Sequence, residues 1–144
     1  MVDGAPSVRQ VLPRLLEFIG GDTLAAHNAS FDARFLLVEC ERQGLLSRHG
    51  GLICSLKLAR RLLPRHASYK LGELAQSLNI RLSGAAHRAE ADAEVTVHLL
   101  RHIGERLCGT YACSSIAPSL LEAVTRQSAA KVPDFLSRRL NANH

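Results

Sequence analysis

The chain has 144 residues and a mass of 15.7 kDa, the size of one domain. At 47% hydrophobic and 22% charged residues it is globular in composition, which excludes a disordered segment; with 4% aromatics and no Trp, the core has to come from Leu, Ala, Ile and Val. No apolar run approaches the roughly 20 residues that cross a bilayer, and Asp3, Arg9 and Arg14 interrupt the stretch a secretory leader would need, so neither a membrane span nor a leader is expected.

The net charge is +5, and all but three of the 18 basic side chains (Lys57, Lys70, Lys131) are Arg. Guanidinium groups bind phosphate as two-pronged donors, so this balance favours polyanionic partners. Cys40, Cys54, Cys108 and Cys113 form no CxxC, and the expectation is reduced thiols in a cytoplasmic protein. Cys108 and Cys113 are close enough in sequence to form a metal or redox pair, although reduced, unpaired thiols are the simpler reading.

In chain order, Ser7 is placed to cap a helix with Val8, Val11, Leu12, Leu15, Leu16 and Ile19 on its apolar face. Pro13 lies inside it and predicts a kink or a late start. After Gly20-Gly21-Asp22, the run Thr23 to His27 reads as a short buried strand. Asn28 to Ser30 forms a turn, and a helix follows from Phe31 to Gln43, ended by Gly44. Leu52-Ile53-Cys54 is a second short strand. A helix from Leu56 to Leu63 stops at Pro64, and Ser68 is placed to cap another that presents Leu71, Leu74, Ala75 and Leu78, with Asn79 as a left-handed end. Ile80 to Ala86 is loop-like. The longest helix runs from Ala89 to Arg106, with Val95, Leu99, Leu100 and Ile103 inward. The division expected is a main unit over 1–108 and a helical tail over 109–144, with short helices at Ser119 to Gln127 and Pro133 to Leu140. The fold class is α/β with parallel strands, predominantly helical. Two parallel strands make a poor sheet by themselves, so the sheet looks incomplete.

Two polar clusters carry the chemistry. His27-Asn28-Ala29-Ser30-Phe31-Asp32 follows the first strand and opens a helix, where open α/β sheets place their ligands. Asp32 falls in the first helical turn, where the helix dipole favours its charge, and suits a hard cation; the plain alternative is that Asp32 and Ser30 only cap the helix. In His87-Arg88-Ala89-Glu90-Ala91-Asp92, a loop histidine precedes a helical aspartate by five residues. Asp92 could hold a metal while His87 takes a proton from a water on it; the alternative is a surface histidine and a solvated helix charge, as for Glu90 and Glu94. Around Pro64, Arg60, Arg61, Arg65, His66 and Lys70 form either a phosphate track or a solvated helix end. Cys54-Ser55 suggests a nucleophile without an assignable activating histidine, and His98 with His102 has zinc-like spacing without a third ligand.

Together the two clusters resemble the DEDDh 3′–5′ exonucleases, the DnaQ-like family of ribonuclease T and the proofreading subunit of bacterial DNA polymerase III. Asn28 to Asp32 resembles the family's second motif and His87 with Asp92 its third, with Leu56 to Arg60 and Tyr69 to Ala75 resembling the segment between; the likeness runs from about Asp3 to Leu107. It implies a ribonuclease H-like sheet, two divalent ions (magnesium or manganese) and release of nucleoside monophosphates from a single-stranded 3′ end. It also implies roles: His87 as general base, Asp92 and Asp32 as metal ligands, Asn28 and Phe31 shaping the pocket for the terminal nucleotide. Arg60 and Lys70 would contact substrate, and polymerase subunits are implied partners.

The sequence departs from the family where the first motif, D-x-E on the first strand, should precede Asp32. Its one D-x-E, Asp92-Ala93-Glu94, belongs to the third motif. The expectation is therefore a fold without its first three strands and with half of the metal site, since two carboxylates and a histidine would hold at most one ion, weakly. A gene start assigned too late, a degenerate copy or completion by another chain would each account for it, the first two together best. Three behaviours are expected to compete: an exonuclease domain inactive by itself, a non-catalytic module binding nucleic acid or a replication partner, and a homodimer formed through an exposed strand edge.

Overall fold

The computed structural model describes residues 4–81 and 88–141. In order these form helix α1 (Val8–Ile19), strand β1 (Thr23–Ala26), helix α2 (Ala29–Gln43), strand β2 (Gly51–Cys54), and helices α3 (Ser55–Leu62), α4 (Leu71–Ser77), α5 (Arg88–Tyr111), α6 (Pro118–Thr125) and α7 (Val132–Leu140). A single 3-10 turn over Ala129–Lys131 leads into α7.

The helix ends follow from local chemistry. At the start of α1 the Ser7 N–H donates to Gln10 Oε1 at 2.9 Å. Of the kink or late start expected, the late start is absent: α1 begins at Val8 and holds Pro13 in its second turn, where it removes one backbone donor. Three helices close in the same way. A left-handed residue follows each of them (Gly44 at φ 64°, Asn79 at 53°, Ala112 at 51°), and the next N–H returns to a carbonyl five residues back: Leu45 to Cys40, Ile80 to Ala75 and Cys113 to Cys108. Ser68 is not the cap of α4, which Lys70 precedes; the Ser68 hydroxyl instead accepts the Lys70 N–H at 3.3 Å. Helix α5 runs one turn further than expected, to Tyr111, because Cys108, Gly109 and Thr110 continue it until Ala112 turns left-handed.

β1 and β2 pair in parallel, Thr23 beside Gly51 through Ala26 beside Cys54, with α2 as the crossover. The larger core lies on one side of this pair. Ile53 of β2 meets Leu58 and Leu63 of the α3 segment, Leu74 of α4, Leu99 and Ile103 of α5, Val124 of α6 and Leu136 of α7. The C-terminal helices thus fill the same core as residues 51–107. The other side is unfilled. α1 and α2 bury only Leu12, Ile19, Ala29 and Cys40, while Val8, Val11, Leu15, Phe18, Phe31 and Phe35 stay exposed. β1 is accordingly half-open rather than the buried strand expected.

Candidate functional site

The chain turns from β1 into α2 at Asn28, which adopts left-handed backbone (φ 68°, ψ 46°) that asparagine tolerates better than most residues. Its carbonyl accepts the Phe31 N–H at 3.1 Å, fixing the first turn of α2. Asp32 therefore stands in that turn, where unpaired helix N–H groups favour a negative charge. It is exposed, as is Asn28, and Phe31 is 73% exposed. Asp32 and Phe31 both line a groove of about 920 Å³ between α1, β1 and α2, walled chiefly by apolar side chains such as Leu15, Leu24 and Phe35.

Asp92 lies on the second turn of α5, its side chain exposed and its carbonyl accepting the Thr96 hydroxyl at 2.8 Å. α5 packs against β1, α3 and α4. His87 lies outside the described residues. Among the described residues no three His, Cys, Asp or Glu side chains gather as a metal-holding group, so Asp32 and Asp92 do not by themselves fit a centre for one or two divalent ions. His98 and His102 likewise have no third ligand there; His98 Nε2 instead stands 3.8 Å from Glu94.

Arg60 and Lys70 are brought together. They line one pocket of about 480 Å³ with His27, Leu56, Ser68, Tyr69 and Leu71. Both are exposed, and the ion pair of Lys70 with Glu73 at 4.0 Å is solvated and weak. Arg61 does not join them. Its Nε donates to the Gln127 carbonyl at 2.8 Å and its terminal nitrogen to the Lys57 carbonyl at 2.9 Å, tying α3 to the end of α6. His66 shares a hydrogen bond with the Ser77 hydroxyl at 3.1 Å.

His27 sits between the strand end and this pocket, and the sequence reading assigned it no role. Its Nε2 is 2.8 Å from the Tyr69 carbonyl, which can only accept, so Nε2 carries a proton. Nδ1, 2.8 Å from Ser55 Oγ, then accepts the serine hydroxyl in the neutral ring, in competition with the Ala26 carbonyl 3.4 Å from the same oxygen. Ser55 is fully buried, so its hydroxyl serves His27 rather than acting as a nucleophile. The signal available in the sequence was the position of His27, directly after a strand and directly before Asn28. The histidine ties the end of β1 to the start of α3 and to the loop that presents Lys70.

The family model described as exonuclease (RNase_T) matches residues 1–100. A Mycobacterium tuberculosis protein assigned as a bifunctional exonuclease/endonuclease is 38% identical over 109 residues, 74% of this chain and 17% of its own length. The DNA polymerase III PolC-type of Listeria monocytogenes is 40% identical over 99 residues, 69% of this chain and 7% of its own. That of Caldanaerobacter subterraneus is 36% identical over 124 residues, 85% of this chain and 9% of its own. The chain thus spans less than a fifth of these relatives. No solved structure matches. No helix among the described residues is long and apolar enough to cross a membrane. With the family model covering more than two thirds of its residues, the chain belongs to the DnaQ-like exonuclease family.

Proposed function

We propose that this chain is the nucleic-acid-engaging part of a 3′–5′ exonuclease domain, and that residues 1–144 alone release nucleoside monophosphates slowly or not at all. The observation that carries this reading is a division of labour. The pocket of His27, Arg60 and Lys70 offers exposed cations for a phosphate chain. Neither Asp32 nor Asp92 belongs to a group of three potential metal ligands among the described residues. Full activity would need His87 together with further carboxylates from outside these residues, enough to hold two magnesium or manganese ions. The half-filled groove beside β1 offers room for the chain that would bring them. In this reading Asn28 and Phe31 shape the space for the terminal nucleotide, and the protein works in the cytoplasm on single-stranded 3′ ends, in a polymerase context.

The test is an assay with magnesium or manganese on single-stranded DNA and short RNA. Little or no monophosphate is expected. Robust release that disappears in Asp92→Ala would overturn the inactivity and would require carboxylates from elsewhere to complete the site.

A second reading, a non-catalytic nucleic-acid-binding module, draws on the +5 charge and the same pocket. Binding that persists in Asp32→Asn and Asp92→Asn, with no turnover even after the missing carboxylates are supplied, would favour it.

A further inference from the structure

Helix α5 ends in a way that brings two thiols together. Ala112 takes the left-handed conformation (φ 51°) and the Cys113 N–H bonds the Cys108 carbonyl at 3.2 Å. This six-residue closure regularly puts the side chains of its first and last residues in contact, usually as an apolar pair. Here both are cysteines. The Cys113 thiol donates to Cys108 Sγ at 3.7 Å, and both residues are half-buried and within reach of small reagents. Cys40 and Cys54, by contrast, are buried, 3% and 8% exposed. Two thiols without a third His, Cys, Asp or Glu in their group, among the described residues, fall short of a structural zinc set. The arrangement suits thiol chemistry instead.

We propose that Cys108 and Cys113 form a redox-modification site, a dithiol that small-molecule disulfides of the glutathione class convert reversibly to an intramolecular disulfide. The hydrogen-bonded backbones already hold the two residues side by side, so closure needs side-chain rotation rather than backbone rearrangement. The Cys108 thiol is held above its ordinary range by desolvation, by its hydrogen bond with Cys113 and by the charge Cys113 carries once ionised. The first thiolate of the pair attacks the oxidant, forming a mixed disulfide and expelling one glutathione thiolate. The other thiol then loses its proton and attacks the sulfur of the first, breaking the mixed disulfide and expelling the second. Two protein thiols are oxidised, one glutathione disulfide is reduced to two thiols, and the two protein protons end on the products. The new bond ties the end of α5 to the segment leading into α6.

The experiment equilibrates the full chain in buffers of reduced and oxidised glutathione, followed by acid quench, thiol counting and peptide mapping. The expected result is a fall from four free thiols to two, loss of two hydrogens in mass, a Cys108–Cys113 linked peptide and a two-electron dependence on buffer potential. Cys113→Ser is expected to lose that transition and retain a single glutathione adduct. Moving the thiol out of the capping position, with Cys113→Ser combined with Ser114→Cys, is expected to shift or abolish the transition while the fold persists. Four free thiols throughout, a lasting mixed disulfide on the unaltered chain, or a bridge through Cys40 or Cys54 would each overturn the proposal.

Discussion

His27 Nδ1 lies 2.8 Å from the hydroxyl of Ser55, a residue with no solvent exposure, and that hydroxyl also lies 3.4 Å from the Ala26 carbonyl, so the Ser55 side chain fastens the end of β1 to the first turn of α3. Ser55→Ala leaves Nδ1 half-buried without its donor, and an unsatisfied group of this kind costs about 1–3 kcal/mol. His27→Ala also frees the Tyr69 carbonyl and is expected to cost at least as much. Urea denaturation of both variants checks this. A loss under half of that range in Ser55→Ala would mean that water replaces the bond.

Two glycines give opposite expectations. Gly50 donates its N–H to the Asp22 carbonyl at 2.9 Å, and a methyl group on it would run into the Gly21 carbonyl oxygen. Backbone cannot move aside as a side-chain tip can, so Gly50→Ala is expected to destabilise by about 1–3 kcal/mol. Gly72 sits in α4 with open space around it, and Gly72→Ala is expected to stabilise by about 0.5–1 kcal/mol through helix propensity. Paired thermal melts of the two variants should therefore move in opposite directions.

Much of this fold was legible in the sequence because its signals are local. Gly44 and Asn79 mark the ends of α2 and α4, where a left-handed residue is needed. The spacing of Val95, Leu99 and Ile103 gives the buried face of α5. Ala112 carried no such signal, since alanine rarely turns left-handed, and α5 was placed too short as a result. The openness of β1 was also hidden. An apolar run reads the same whether or not anything covers it, and only the exposure of Phe31 and Phe35 beside it reveals the unfilled side. Of the candidate site, Asp32 and Phe31 share one groove and Arg60 and Lys70 another pocket. The role of His27 depends on contacts 28 and 42 residues away, which no local pattern encodes.

The tail is expected to be needed for folding. Val124 is fully buried and Leu136 2% exposed, both within the core that holds Leu58 and Leu99. Leu136→Ala is expected to cost about 2–5 kcal/mol and Val124→Ala somewhat less. Removing residues 118–144 takes away several such side chains at once and should leave no cooperative unfolding transition. A shortened chain that melts cooperatively near the temperature of the full one would mean that residues 4–117 hold the core alone.

Exposed apolar surface around β1 should drive self-association. Phe18 is 87% exposed, Phe31 73% and Phe35 57%, along one groove beside a strand that pairs only with β2 among the described residues. Unpaired strand edges and large apolar patches promote contact between copies. Sedimentation of the full chain is expected to show concentration-dependent dimer, weakened in the triple variant Phe18→Ser, Phe31→Ser, Phe35→Ser. A monodisperse monomer at every concentration would remove the homodimer reading while leaving the nucleic-acid reading intact.

Arg60 and Lys70 give the most direct probe of that reading. Each phosphate contact releases condensed counterions, so a single-stranded oligonucleotide should bind this chain with an affinity that falls steeply as salt rises. Arg60→Ala and Lys70→Ala are each expected to weaken binding about evenly across sequences and to lower the magnitude of the salt slope by roughly one contact, about 0.7 for single strands. Arg61→Ala serves as the comparison. Its guanidinium is committed to the Gln127 and Lys57 carbonyls, so it should lower stability more than it lowers the slope. Equal salt slopes in all three variants and the unaltered chain would place the nucleic-acid contact elsewhere on the basic surface.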